Sequence, residues 1–79
     1  MMSDTLVNIV NGGQSWAADR ANYALQIHSA VISGQCSREE ATELLKNLIA
    51  SQELAEAATD QQMMAMLVFG VEELINIYA

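Results

Sequence analysis

The stretch MMAMLVFGVEELINIY, residues 63–78, decides how this chain folds. Wound at about 100° per residue, it sets Met63, Leu74, Leu67, Tyr78, Val71, Met64, Ile75 and Val68 on one continuous arc of roughly 140°, the width of a core-facing helical stripe. On the far side lie Phe69, Met66 and Ile77, with Glu73 among them, set off by Glu72 and Asn76 on one flank and Gly70 on the other. A helix with apolar residues on two sides needs two partners. The second side is covered either by an earlier segment of the same chain or by another subunit. Met63, Met64 and Met66 read as adaptable core filling rather than as soft-metal ligands.

Upstream of this helix, Thr59-Asp60-Gln61-Gln62 has the form of a capping box with Thr59 as the N-cap. Residues 53–58 also favour helix strongly, so a helix over about 55–78 is expected. The clearest start signal is Ser37-Arg38-Glu39-Glu40, where the Ser37 hydroxyl and the Glu40 carboxylate can each satisfy a free backbone N–H. The helix that follows carries Ala41, Leu44, Leu45, Leu48 and Ile49 on one face; Leu54 falls off that face, so the helix should break near Ser51 and Gln52, giving 38–51. Before it, Gly34 closes a long helix over about 16–33, with Ser15 as its N-cap and Trp16, Tyr23, Ile27, Ala30 and Val31 near one stripe. Residues 3–10 read as two turns of helix capped by Ser3, or as an extended arm, stopped by Asn11-Gly12-Gly13. The expected fold is all-α: one domain over 1–79, a small helical hairpin or three-helix unit with a short N-terminal segment.

Composition supports this reading. The 79 residues include no proline and only four glycines, and the chain is rich in Ala, Leu, Met, Glu and Gln, the better helix formers. It is 52% hydrophobic and 16% charged, against about a quarter charged in an ordinary soluble domain. A chain this short buries a small share of its surface and usually needs a further source of stability. Cys36 is the only cysteine, which removes internal disulfides, and one His with one Cys cannot complete a four-ligand zinc site. Oligomerisation is the remaining ordinary source.

Ten acids against Arg20, Arg38 and Lys46 give a net charge of −7, which phosphate backbones and anionic membranes repel. The longest apolar run, residues 63–71, is far below the roughly 18 residues of a membrane span. Met1-Met2-Ser3-Asp4 lacks a basic signal-peptide start, so a soluble, leaderless chain is expected, acting in the cytoplasm or within an assembled particle.

Catalytic patterns are weak. Gly12-Gly13-Gln14 matches the tripeptide with which peptide-release factors trigger ester hydrolysis; there it lies in a basic loop, whereas here Ser15 and Trp16 follow and the residues read as a turn entering a helix. His28 has Ala24, Leu25, Val31 and Ile32 one helical turn away and reads as a boundary residue. Leu25 stands where a di-iron bundle would carry the Glu of Glu-x-x-His. Cys36 reads as a small turn residue. Pairs such as Glu39/Glu40 and Glu72/Glu73 are neighbours on a helix, whose side chains diverge. No catalytic residue, cofactor, metal or small-molecule substrate is expected.

The expectation is therefore a non-enzymatic structural or assembly subunit that buries excess apolar helix surface against copies of itself or larger protein partners in a multi-subunit particle. Its size would suit a small accessory protein of a phage virion. Met66, Phe69, Ile77 and Trp16 are the candidate interface residues. The alternative is a free acidic inhibitor, a nucleic-acid mimic whose Glu39, Glu40, Glu43, Glu53, Glu56 and Asp60 occupy a basic cleft on an enzyme.

Overall fold

A computed structural model describes residues 4–78. Among the described residues the fold is all-α, with α1 (Asp4–Gly12), α2 (Ser15–Ile32), α3 (Arg38–Ala50), α4 (Gln52–Ala57) and α5 (Gln61–Tyr78). The three long helices correspond to the expected unit, and two short ones are added. The N-terminal segment is helix α1 rather than an extended arm; Ser3, its expected cap, lies outside the described residues. The helix expected over 55–78 is two helices, because Ala58 is extended and Asp60 starts a new one.

Local chemistry sets most boundaries. Gly34 takes φ +82°, the left-handed conformation that ends α2, and the Gln35 and Cys36 N–H groups close onto the Ala30 carbonyl at 2.8 and 3.1 Å. The Ser37–Glu40 capping box is present: Glu40 N–H donates to Ser37 Oγ at 3.0 Å and Ser37 N–H to Glu40 Oε1 at 3.4 Å. The break near Ser51 is also present, and Ser51 Oγ accepts from Leu54 N–H to start α4.

Two expected caps are corrected. Ser15 is the first residue of α2, and Gln14 is the N-cap with no side-chain cap bond, because the Gln14 amide is engaged elsewhere. Thr59 does not cap α5; Asp60 Oδ1 accepts from Gln62 N–H at 2.9 Å and Met63 N–H at 3.2 Å. A carboxylate at this position is the stronger acceptor for the positive end of the helix, so α5 starts one residue later than Thr59 would place it.

Polar ties fix the helix directions. Gln14 and Asp60 join the starts of α2 and α5, and His28 and Tyr78 join their far ends, so these two helices run parallel. The turn at Gly34 brings α3 back antiparallel between them in sequence, packed on both α2 and α5, and α4 makes the return corner with Leu54 fully buried. The radius of gyration is 11.6 Å, close to the roughly 12 Å of a compact domain of this length.

The buried stripe of α2 is Ala17, Ala21 and Ala24, continuing to Ile27 and His28, and not the expected Trp16, Tyr23, Ala30 and Val31 side. Tyr23 is exposed. Small alanines let neighbouring helices approach α2 closely, whereas the bulky residues lie at its edges. Of the face expected on α3, Ala41 and Leu45 are buried and Leu48 and Ile49 half-buried, whereas Leu44 is exposed.

α1 doubles back onto α2 and also reaches α5. The turn requires Gly13, where a Cβ would lie 2.6 Å from the Ile9 carbonyl oxygen. Leu6 and Ile9 are then almost fully buried, each stabilising the fold by about 1.5–3 kcal/mol. Leu6 sits over Gly70 of α5, where an added Cβ would fall 2.8 Å from Leu6 Cδ2 and 2.9 Å from Cγ.

Gly70→Ala tests that seat. In an open helix the change would stabilise by about 1 kcal/mol, whereas against a confined Leu6 overpacking costs about 1–3 kcal/mol. The melting temperature of the single variant should fall. In a Leu6→Ala background the same change should be neutral or stabilising, and thermal unfolding of the four chains followed by circular dichroism reads that reversal of sign.

Candidate functional site

α5 turns Leu67, Gly70, Val71, Leu74 and Tyr78 into the core, with Met63, Met64 and Ile75 half-buried beside them. That is the arc read from residues 63–78. α1 packs on α5 at Gly70. Phe69 is 58% exposed, Ile77 50% and Met66 44%, so the second apolar side of α5 remains on the surface of the monomer. These three residues lie at intervals of three and eight along α5, with Glu73 between them, forming a stripe about 16 Å long at the helical rise.

Trp16 lies apart from that stripe, on α2. It is half-buried against the core, and its indole N–H donates to Gln14 Oε1 at 2.7 Å. Gln14 in turn donates from Nε2 to Asp60 Oδ2 at 3.2 Å and accepts from the Thr59 hydroxyl at 3.4 Å. The glycine-glycine-glutamine tripeptide is thus accounted for by a tight turn and a polar joint between two helix starts.

Beside the stripe runs a cleft between α3 and α5, lined by Lys46, Ile49, Phe69, Glu72, Ile75 and Asn76, with Glu73 adjoining. A second depression, between Glu39, Thr42, Glu43 and Tyr78, lies farther along the same two helices. Sequence reading did not join Lys46 and Ile49 to the α5 face, because the antiparallel register of α3 on α5 is a tertiary property.

His28 differs from its expected boundary position. It is buried, and its Nδ1 shares a hydrogen bond with the Tyr78 hydroxyl; the rings stack with centroids 5.8 Å apart and planes at 26°. The partner comes from the end of α5, not from α2. Burial raises the Tyr78 pKa above its ordinary value of 10.0; Cys36 raises it further and Arg38 opposes the shift. Cys36 itself is half-buried, and its thiol donates to the Ser37 carbonyl at 3.5 Å. Among the described residues no buried side-chain nitrogen or oxygen lacks a hydrogen-bond partner. The pair locks the far ends of α2 and α5 together.

Of the acidic residues in the middle of the chain, Glu39, Glu40, Glu43, Glu53 and Glu56 are exposed on α3 and α4. Asp60 is half-buried, caps α5 and receives the Gln14 amide, so it belongs to the fold rather than to an open acidic face. Among the described residues no group of three or more His, Cys, Asp or Glu is placed to hold a metal ion, and no helix is long and apolar enough to cross a membrane.

Tyr78→Phe should destabilise the chain by about 1–3 kcal/mol, because it leaves a buried imidazole nitrogen without its partner. The pH dependence has a defined sign. A folded-state pKa raised above the unfolded value keeps the Tyr78 contribution intact below about pH 10 and removes it as pH rises beyond, where the unfolded chain ionises first. Denaturant titrations at about pH 9 and about pH 11 should show a larger loss in the unaltered chain than in Tyr78→Phe.

Comparison of the chain with family models, curated proteins and solved structures finds no match in any of the three.

Proposed function

We propose that this chain is a non-enzymatic structural or assembly subunit that buries the Met66, Phe69 and Ile77 stripe against a protein partner, in a multi-subunit particle such as a virion. The observation that carries this reading is the exposure of three large apolar side chains along one helix whose opposite face already fills the core. Covering a Phe, a Met and an Ile that are about half exposed removes apolar area from water, and that gain is available only on association. The partner is either a copy of this chain or a larger subunit. Trp16, half-buried against the core with its indole N–H on Gln14, offers less free surface to such a partner than the three residues of α5.

The second reading, a free acidic inhibitor that imitates spaced phosphates, draws on five exposed glutamates of α3 and α4. It predicts binding dominated by charge, whereas the assembly reading predicts binding dominated by the α5 stripe.

Changing Met66 and Phe69 together to Ser tests the assembly reading. Helix content and melting temperature should stay close to those of the unaltered chain, since both side chains lie largely outside the core. Association, read as a sedimentation mass above that of the 8.6 kDa monomer alone or with an added partner, should weaken at least tenfold. Unfolding of the double variant would move these residues into the monomer core and contradict the reading, as would undiminished association.

A further inference from the structure

From the hinge between α1 and α2 we infer that a second copy of this chain is a binding partner, and that two copies exchange α1, each placing Leu6 and Ile9 on α2 and α5 of the other. The helical ladders of α1 and α2 run almost to meeting. Gly13 N–H still donates to the Ile9 carbonyl at 2.8 Å, and the Gln14 carbonyl already accepts from Ala17 and Ala18 at 3.0 and 2.8 Å. Gln14 has φ −65° and ψ 151°, so its φ is helical and the chain turns on its ψ. With ψ near −42°, the N–H groups of Gln14, Ser15 and Trp16 would bond the carbonyls of Val10, Asn11 and Gly12 at the i−4 spacing. The start of α2, which has no side-chain cap, would gain the partners that a helix end lacks. A single helix over 4–32, about 43 Å long, would then carry Leu6 off its own seat and onto a neighbour's.

The closed and exchanged forms differ only at the hinge. Leu6 over Gly70 and the burial of Ile9 are the same whichever chain supplies α1. The closed form keeps the exposed bonds from Gln14 to Asp60 and from Thr59 to Gln14, and it spares Gly12 and Gly13, poor helix formers, a place in mid-helix. Gly13 is also what permits the closed turn, since an added Cβ would meet the Ile9 carbonyl oxygen, a backbone atom, at 2.6 Å. Gly12 has open space around it. The exchanged form gains the continuous ladder, and concentration favours it by mass action. Because Leu6 and Ile9 hold α1 in the core, the partition between the two forms is set as the chains fold. This interface consists of α1 and its seat, whichever partner covers the α5 stripe.

Two substitutions act on the hinge with opposite sign. Gly13→Ala strains the closed turn and favours a continuous helix. Ser15→Pro suits the first position of α2, behind an extended Gln14, and breaks a continuous helix. The full chain is refolded under reducing conditions at about 5 µM and about 500 µM, and its mass is read by sedimentation. The unaltered chain should be the 8.6 kDa monomer at the low concentration and show a rising share of dimer at the high one. The concentration giving half dimer should fall at least tenfold in Gly13→Ala and rise at least tenfold in Ser15→Pro. A Leu6→Ala chain and a Gly70→Ala chain refolded together should pair with each other in preference to themselves. Exchange then restores Leu6 over Gly70 in one seat and sets the two substituted positions together in the other. Random pairing in that mixture would overturn the inference, whatever Ser15→Pro does to folding. So would monomers alone, at both concentrations, from the unaltered chain and from Gly13→Ala. A dimer that Ser15→Pro leaves intact and that Met66→Ser with Phe69→Ser dissolves would belong to the α5 stripe, overturning the exchange while the assembly reading stands.

Discussion

The close approach of Leu6 to Gly70 is the contact on which the arrangement depends. A nine-residue helix such as α1 does not hold in water by itself, since nucleation is costly and few hydrogen bonds follow. It is held because Leu6 and Ile9 are removed from solvent between α2 and α5, and α5 admits Leu6 only where it lacks a Cβ. The alanine stripe of α2 plays the matching part on the other wall, with Ala17, Ala21 and Ala24 fully buried. Small residues on the two long parallel helices thus make room for a third layer. Gly13 supplies the turn that delivers α1 there.

Polar groups fix direction where apolar packing does not. Gln14 ties the start of α2 to Asp60 at the start of α5 while also holding Trp16 and Thr59, and His28 meets Tyr78 at the opposite end. Two parallel helices separated by an antiparallel one need a return segment, and α4 provides it, with Ser51 and Asp60 marking its two ends. Closing the Gly70 edge with α1 and the core arc with α2 and α3 leaves the opposite side of α5 facing outward. The apolar stripe is in that sense a product of the fold, since every helix of the described chain is already committed elsewhere.

Much of this was legible in the sequence wherever the cause is local. The Ser37–Glu40 box, the Gly34 stop, the break at Ser51 and the core arc of α5 all depend on residues within a few positions of one another. What depends on distant chain was not. The hydroxyl that satisfies His28 lies 50 residues away, and nothing near Gly70 announces Leu6. Reading α2 by the bulk of its side chains selected Trp16 and Tyr23, although close helix packing placed the alanines inside. Ser15 and Thr59 failed as caps for different reasons: Ser15 already lies inside α2, behind an N-cap Gln14 that makes no side-chain cap bond, and beside Thr59 the charged Asp60 takes the bonds from the α5 N–H groups. The stripe of Met66, Phe69 and Ile77 was legible as a second apolar side, but only packing showed that α1 stops short of it.

The functional account follows from where α1 stops. If α1 is an integral part of the core, the surface offered to a partner is the narrow stripe; if α1 readily detaches, that surface also includes the Gly70 edge and the residues beneath Leu6. Residue-resolved native-state hydrogen exchange separates the two cases directly. Amides in the hydrogen-bonded part of α1, such as those of Ile9 and Val10, should exchange with protection within about tenfold of the slowest amides of α2 and α5, because they open only with the whole fold. Exchange in α1 faster by about a hundredfold or more, with α2 and α5 still protected, would contradict the account.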